Sequence, residues 1–448
     1  MHIPLTPPKV EDLLHEAVKT DMLQRILEEG SGVMGDYLHW DKLRHLTTPE
    51  GLSHEQWWLG LKLARTSAYR PLALRAIDKS GFRYVLTDTL FEKLHQIDKA
   101  ASGAIAAADE VTNPNTRDTY LFKSLVEESI TSSQLEGAST TRAVAKDMIA
   151  SGREPRNVSE RMIWNNYQAM RFIREIRTEP LTPSIVIELQ RILTDSTLRE
   201  SDAVGRLRRY NEPINVQDVS GKILHVPPPA DELNERLKAM CAFANEGDSK
   251  PFLHPVLRAI FLHFWLAYDH PFIDGNGRTA RALFYWCMAN RGFWLTEFIS
   301  ISRIIKEQPA QYAKSFLLTE TDDNDATYFF ESQLSVIERA IRNLHTYLKA
   351  KTKELYETEQ LFNSAKKLNL SFNHRQMALL HHALKNPYHA YTVESHQRSH
   401  NISNQTSRND LEKLNGLNTL DRKQQGKAFV FLAPPDLKLR ITQLVDKP

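Results

Sequence analysis

HPFIDGNGRTAR, residues His270 to Arg281, stands between two stretches that both read as buried helices. Upstream, Leu257 to Tyr268 (LRAIFLHFWLAY) is apolar almost all round at helical spacing, and downstream Thr279 to Asn290 (TARALFYWCMAN) is similar. The spacing predicts a tight loop between two core helices, with the glycines at the start of the second. Gly275 and Gly277 can take φ > 0 and turn backbone N–H groups to one side. At a helix N-terminus such groups make an anion site. Asn276 between them can donate its amide to an oxygen. Arg278 and Arg281, three apart on the first turn, share a face and add forked cationic donors. Asp274 is a single carboxylate, which suits Mg²⁺ held otherwise by phosphates and water. His270 can take a proton near neutral pH. Together these parts suit phosphoryl-type transfer: a polyphosphate cradle, a metal, and a base for an incoming hydroxyl.

Taken alone, Gly-Asn-Gly is a turn signal and a histidine after an apolar helix is a core or capping residue. The whole string resembles the Fic family signature HPFx[DE]GNGRxxR at every specified position. That resemblance, over roughly residues 120–350, implies a mainly α Fic-type helical bundle that is an AMP transferase using ATP and Mg²⁺. His270 would deprotonate a Tyr, Thr or Ser hydroxyl of a target protein. The hydroxyl would attack the α-phosphate and pyrophosphate would leave. Asp274 would hold Mg²⁺, and Gly275, Asn276 and Gly277 would form the anion hole. The phosphate contacts would extend through Arg278, Thr279, Ala280 and Arg281, with Arg281 reaching the γ-phosphate. Phe272 would be the buried anchor of the loop, and Tyr312 a candidate for the adenine side.

A second stretch, Ser132-Ser133-Gln134-Leu135-Glu136-Gly137, matches the family's inhibitory pattern [ST]xxxE[GN]. By itself it reads as an exposed last-turn glutamate followed by a C-cap glycine. With the catalytic motif downstream, the resemblance implies an inhibitory helix over about 123–137, in which Ser132, Glu136 and Gly137 carry the pattern. A carboxylate delivered into the phosphate site can form a forked pair with Arg281. It would then take the γ-phosphate's partner and leave ATP misaligned.

Helical spacing gives way to β-type residues in 205–229, GRLRRYNEPINVQDVSGKILHVPPP. Ile214 to Val219 and Lys222 to Val226 are predicted as a hairpin around Ser220-Gly221. The resemblance implies that this hairpin (about 214–226) is a flap over the active site. Ile214, Asn215, Val216 and Val226 would hold a target segment by main-chain hydrogen bonds.

The rest of the chain sets bounds. At 448 residues it has room for several domains, and its net charge of +2 is too near neutral to argue for nucleic acid or membrane over the whole chain. The two cysteines, Cys241 and Cys287, fall in apolar helical patterns, as free buried thiols do in a reducing compartment. Without a signal core or a spanning apolar run, a cytoplasmic location is expected. Residues 1–118 read as a helical accessory region, with one amphipathic helix over Val10–Gly30, a short strand at Phe82–Leu86, and Trp40, Trp57 and Trp58 as packing aromatics. The Fic-like domain runs 119–355. Within it, Thr321-Asp322-Asp323-Asn324-Asp325 lacks the spaced glycine and late glutamate of a calcium loop and reads as a solvated capping turn.

Residues 371–448 order as helix, helix, helix and a two-stranded wing, which resembles a winged helix-turn-helix. Ser407, Arg408 and Lys413 on the third helix and Arg422, Lys423 and Lys427 on the wing could reach DNA. Protein docking or dimer packing is the equal alternative, because basic density is low. The histidines here lack a compact ligand spacing. Three functions remain open: AMP transfer with Glu136 as brake, removal of AMP from a modified protein by the same site, and a nucleotide-sensing transcription regulator. A homodimer is a family-based expectation.

Overall fold

Two helices too apolar to face water set the architecture. In the computed structural model, which describes residues 2–30, 37–101, 114–218, 220–246, 251–367, 372–400, 402–425 and 428–445, they form an antiparallel pair at the centre of the first of two compact units, Met1–His345 and Thr346–Pro448. The first unit runs α1 (Val10–Lys19), α2 (Leu23–Gly30), α3 (Trp40–Leu43), α4 (His54–Thr66), β1 (Tyr69–Arg75), β2 (Gly81–Val85) and α5 (Asp88–Ala101). It continues with α6 (Pro114–Leu135), α7 (Arg142–Ser151), α8 (Val158–Glu175), α9 (Pro183–Thr194), β3 (Val216–Gln217), β4 (Ile223–His225) and α10 (Leu233–Asn245). Then come the central pair, α11 (Pro255–Asp269) and α12 (Asn276–Asn290), followed by α13 (Ile301–Glu307), α14 (Pro309–Thr321) and α15 (Thr327–Lys367), whose residues after His345 belong to the second unit.

The protein is mainly α, with small antiparallel sheets. Every residue of α11 from Val256 to Leu266 is buried, as is nearly all of α12. Around them pack α6, α8, α9 and α10. Local signals start these helices as their sequences suggest. Thr182 caps α9, its Oγ1 accepting from Ile185 N at 3.2 Å, with Pro183 in the first helical position. Ser53 and Gln56 form a capping box on α4. Cys241 and Cys287 are free and buried, and burial raises their thiols to about 12 and about 11. No helix among the described residues is long and apolar enough to cross a membrane.

Several expectations are corrected. Val10–Gly30 is two helices, broken where Asp21 adopts a left-handed φ of 53°. The strand at 81–85 has an antiparallel partner, Tyr69–Arg75, hidden from the pattern by Pro71 and an irregular register. The acidic run at 321–325 is the largest departure. Asp322 and Asp325 are buried, and only Asp323 faces out. Lys62 donates to Asp322 Oδ1 at 2.7 Å, Tyr328 to Asp322 Oδ2 at 2.8 Å, and Tyr37 and Tyr69 to Asp325 Oδ2 at 2.6 and 3.0 Å. Arg65 donates to the Tyr328 hydroxyl and the Leu38 carbonyl, and its guanidinium lies 3.7 Å over the Tyr37 ring. The Arg83 N–H and C=O bond to Asn324 O and Ala326 N in the same place. These side chains come from elements far apart in sequence, so local pattern could not reveal them. They bolt residues 37–85 to the start of α15, while Trp40, Trp57 and Trp58 pack in a core cluster beside them, as expected.

In the second unit α16 (His374–Lys385), β5 (Ala390–Tyr391), α17 (Val393–His400), α18 (Asn404–Gly416), β6 (Asp421–Gln425), β7 (Ala428–Leu432) and α19 (Leu437–Val445) enclose their own core, with sheet order β5-β7-β6. The three helices and the hairpin fall where the sequence reading puts them; β5 and α19 were not foreseen. Gly426 and Lys427, assigned to the wing, lie outside the described residues, as does Val219 of the flap. Ser407 is fully buried and donates to the Val393 carbonyl at 2.6 Å, so it holds α18 against α17 and does not reach a ligand. Arg422 pairs with Glu412 and lies over Phe429; it is exposed, as are Arg408, Lys413 and Lys423. Among the described residues, no cluster of His, Cys, Asp and Glu is built to hold a metal.

Replacing Asp322 by Ala would remove the buried carboxylate that Lys62 and Arg65 share, leaving Lys62 with Tyr69 and the exposed Asp323. The expected loss is roughly 3–5 kcal/mol, the scale for breaking a buried ion pair from one side. Denaturant midpoints of the full chain would read it, with Asp323→Ala, at the exposed neighbour, nearly silent.

Candidate active site

The chain has to turn sharply after α11, and the turn falls on a histidine. His270 sits at a left-handed φ of 45°, its N–H still donating to Leu266 O at 3.0 Å. That conformation is costly for a side chain, and neighbours must impose it. Arg208 does so from the segment before the hairpin. Its Nε donates to the His270 carbonyl at 3.0 Å, its Nη2 to the Pro228 carbonyl, and its N–H to Pro271 O at 2.9 Å. Gln190 on α9 donates to the Asp274 carbonyl at 3.2 Å while accepting from Gly205 N at 2.7 Å.

The loop is closed from inside by Asn276. Its Oδ1 accepts from Phe272 N at 3.0 Å and its Nδ2 donates to Phe272 O at 2.8 Å. The side-chain amide, read from sequence as a donor to a ligand oxygen, is therefore committed to the loop. Phe272 is completely buried, as its anchoring role requires. Gly275 has φ 85°, and a Cβ there would meet Thr194 Cγ2 at 2.8 Å. Gly277 does not need a positive φ, because it lies within α12. Space is tight there: a Cβ would crowd the Glu136 carboxylate, which would have to shift. The amides of Asn276, Gly277 and Arg278 form the first-turn donor set of α12.

Thr279 and Ala280 are buried, and Thr279 N already donates to Gly275 O, so both build the helix start. Arg278 is buried too, donating from Nη1 to Leu193 O at 2.8 Å and lying 3.5 Å from Asp274 Oδ1. Its Nε and Thr279 Oγ1 are buried without a hydrogen-bond partner among the described residues. Asp274 is the one half-exposed carboxylate of the loop. A lone, open carboxylate beside first-turn amides fits a cation whose other ligands are phosphate and water oxygens.

Arg281 is where the two sequence motifs meet. Its Nε donates to Ser132 Oγ at 2.9 Å, and its Nη2 to Ser132 O at 3.0 Å and to Glu136 Oε1 at 2.8 Å. The expected forked pair is thus a single carboxylate contact, with Ser132 supplying the rest. Burial opposes the charge on Glu136, but Arg281, then Arg278 and His270, hold it below the usual carboxylate range. Gly137 follows at φ 94°, with Ala138 N donating to Ser133 O at 3.0 Å, so the C-cap reading and the site reading describe one local structure. Helix α6 is fastened by buried Glu128, which accepts from Tyr285 OH at 2.9 Å, Ser300 Oγ at 2.7 Å and Ser302 N at 3.2 Å.

The His270 ring points one nitrogen back into the helix: Nδ1 lies 3.2 Å from the Ala267 carbonyl, which can only accept. Nδ1 therefore carries the proton and Nε2 offers a lone pair. Burial pushes its pKa down to about 4, with His225 and Arg208 acting the same way against Ala267 and Glu136. Tyr312 bonds His263 Nε2 through its hydroxyl at 2.8 Å and stacks on that ring. Burial and Arg281 drive His263 to about 3, and burial lifts Tyr312 to about 12. The hairpin is shorter than expected: Val216 pairs with His225 and Gln217 with Ile223, while Ile214, Asn215 and Val226 lie outside the strands. Arg208, Gln190, His225, His263 and Glu128 were not flagged by sequence; each acts across a long separation, and several act only on backbone.

Residues 180–288 match the model of the Fic/DOC family. Protein adenylyltransferase Fic of Nematostella vectensis is 41% identical over 69 residues, 15% of this chain and 16% of that protein. The protein of the same name from Drosophila persimilis is 39% identical over 69 residues, 15% and 13% of the two chains. The matched stretch thus covers a minor part of either relative. A crystal structure of a Fic family protein from Desulfovibrio desulfuricans G20 superposes with a TM-score of 0.53 at 16% identity, covering 78% of this chain and 97% of that one; the likeness is one of fold.

A neutral His270 has a measurable signature. Unfolded, it binds a proton near 6.5; folded, only near 4. Its contribution to stability is therefore present above pH 6.5 and is lost as pH falls toward 4. His270→Ala should flatten the wild-type decline of denaturation midpoint across that window. Ring titration by NMR should place His270 well below ordinary histidines; a value near 6.5 would contradict the buried tautomer.

Proposed function

We propose that this chain, whose residues 180–288 match the Fic/DOC family model, transfers AMP from ATP to a hydroxyl of a protein target, with Glu136 as a built-in block. The observation that carries this reading is the Arg281–Glu136 contact at the N-terminus of α12, beside a neutral His270. A site made of first-turn amides, two buried arginines and a base has the chemistry of phosphate binding with proton acceptance.

In the proposed reaction His270 Nε2 accepts the proton of a Tyr, Thr or Ser hydroxyl as that oxygen attacks the α-phosphate. Pyrophosphate leaves, and the amides of Asn276, Gly277 and Arg278 stabilise the charge that develops. Arg281 would take the γ-phosphate once Glu136 has moved aside. Asp274 would hold Mg²⁺, which when bound neutralises phosphate charge. Tyr312, coupled to His263 and near Arg281, would border the nucleotide. The hairpin would carry the target segment, with Val216 in its strand and Ile214, Asn215 and Val226 flanking it.

A second reading draws on one observation: the ionised Glu136 carboxylate faces the same cradle as His270. There it could orient a water, and the site would remove AMP from a modified protein. For the nucleotide-sensing regulator, Ser407 is buried and Arg422 is paired with Glu412.

Incorporation of α-labelled ATP into protein, with cell lysate as target source, tests the proposal. Glu136→Gly should label strongly while wild type stays weak. Adding His270→Ala to Glu136→Gly should cut labelling by roughly 10²–10⁴, the range for a lost general base. Labelling that survives loss of His270 would sink the mechanism. Release of AMP from a pre-modified target that depends on Glu136 would move the second reading ahead.

A further inference from the structure

The hairpin is held to the end of α11 by one side chain that neither motif contains. His225, on β4, has its Nδ1 2.7 Å from Glu320 Oε2 on α14 and its Nε2 2.7 Å from the Tyr268 carbonyl, two residues before His270. A carboxylate and a carbonyl can only accept. A neutral imidazole has a single N–H, so only the imidazolium can satisfy both. The ring is almost entirely buried and packs against the Tyr268 ring at 4.6 Å between centroids. The strands themselves offer little else: two register pairs with an irregularity between them, and Ile223 and Val226 exposed.

We propose that His225, as the imidazolium, is a positioning residue that staples the hairpin to the end of the helix leading into His270, and that the staple opens when it deprotonates. The consequence for target alignment rests on the transferase reading; the staple itself does not.

The charged and titratable groups around it come from several elements. Glu320 faces it from α14. Asp269 on α11 lies behind Tyr268, paired with Arg236 of α10 at 2.7 Å and with Trp265 Nε1 at 2.9 Å. His270 and Arg208 lie on the side of the catalytic turn, and Asp218 and Lys222 at the hairpin's tip are tied to each other through Asp218 Oδ1 and Lys222 N. Burial opposes the charge on His225; the Glu320 carboxylate, the Tyr268 carbonyl and Asp269 outweigh it, so its pKa lies above 6.5. A raised histidine contributes its stabilisation fully below 6.5 and loses it as pH rises through the folded value. The hairpin is therefore fastened below pH 6.5 and loosened as pH rises through the folded value of His225, opposite in sense to the acid sensitivity of His270.

Amide hydrogen exchange on the full chain, followed from about pH 6 to about pH 9 and corrected for the intrinsic rate, reads the staple directly. Wild type should lose protection at Val216, Gln217 and Ile223–His225 by roughly tenfold or more toward alkaline pH, the scale of one charge-assisted hydrogen bond. His225→Gln should show low protection that no longer changes with pH. Glu320→Gln should move the transition to lower pH, since the carboxylate that raises His225 is gone. Amides of α11 serve as the internal reference for global unfolding. Should His225→Gln unfold, the wild-type pH curve and the Glu320→Gln shift decide the matter. Flat wild-type protection, or a wild-type pH response in His225→Gln, overturns the proposal. A titrating hairpin in a protein that incorporates no label from ATP would leave the staple standing and count against the transferase reading.

Discussion

Arg281 carries a charge that it cannot shed, inside a fold where only 3% of its side chain meets solvent. A lone buried cation would cost several kcal/mol, so the surroundings have to answer it. They do so from one helix. Ser132 gives Arg281 a hydroxyl and a carbonyl, and Glu136 gives it a carboxylate one turn later. Helix α6 is consequently part of the core, with Glu128, Ser129, Ser132 and Ser133 all buried beneath it. Of this set only Glu136 is partly open, and it lies past the last helical residue, against the left-handed Gly137. The cation thus has buried partners in Ser132 and a partly open one in Glu136. On the proposed reading a phosphate oxygen replaces that carboxylate, one anion for another, and α6 need not leave its place.

The turn at His270 depends on a different set of contacts. His270 is held in a left-handed backbone, and the groups that hold it act on carbonyls and amides of the turn. Arg208 takes the carbonyl of His270, Gln190 that of Asp274, and Asn276 both backbone groups of Phe272. Residues that look like ligand donors in the motif are spent on shape: Asn276 as a clasp, Arg278 on Leu193, Thr279 inside the helix. The surface left for an anion is mostly main chain at the start of α12, together with Arg281. Such a surface is rigid because its side chains are already used.

What could be read from sequence follows from this division. The central helices announce themselves by apolar residues on every face, and the loop by glycines with a stated job. Gly275 was read correctly for its positive φ, Gly277 for the wrong reason: its constraint is the carboxylate of a residue far earlier in the chain. The link between Glu136 and Arg281 follows from the resemblance to a family pattern, since no local rule ties a helix C-terminus to an arginine 145 positions away. The acidic run at 321–325 misled because acids in a row are usually solvated; their partners Lys62, Arg65, Tyr37 and Tyr69 are spread over another region. His225 was hidden for the same reason, a single polar residue in a short strand whose two acceptors belong to other elements. The second unit was legible in its helices and hairpin, and opaque in β5, which is only two residues long.

The neutral state of His270 and the charged state of His225 belong together. Each ring is buried, yet they are pushed in opposite directions because of what their nitrogens meet. His225 meets two acceptors and must be doubly protonated; His270 meets one carbonyl and a pair of cations, His225 and Arg208, that discourage a second proton. Glu136 works the other way and favours the proton on His270. If the carboxylate moves aside, that influence goes with it, and the histidine becomes still harder to protonate. Its Nε2 lone pair is then kept free by the hairpin's own imidazolium and by the arginine that fixes the turn. An incoming triphosphate would restore negative charge nearby, making His270 a stronger acceptor when a hydroxyl arrives. On the proposed reading, Arg208 and the imidazolium of His225 would keep His270 unprotonated until a hydroxyl arrives.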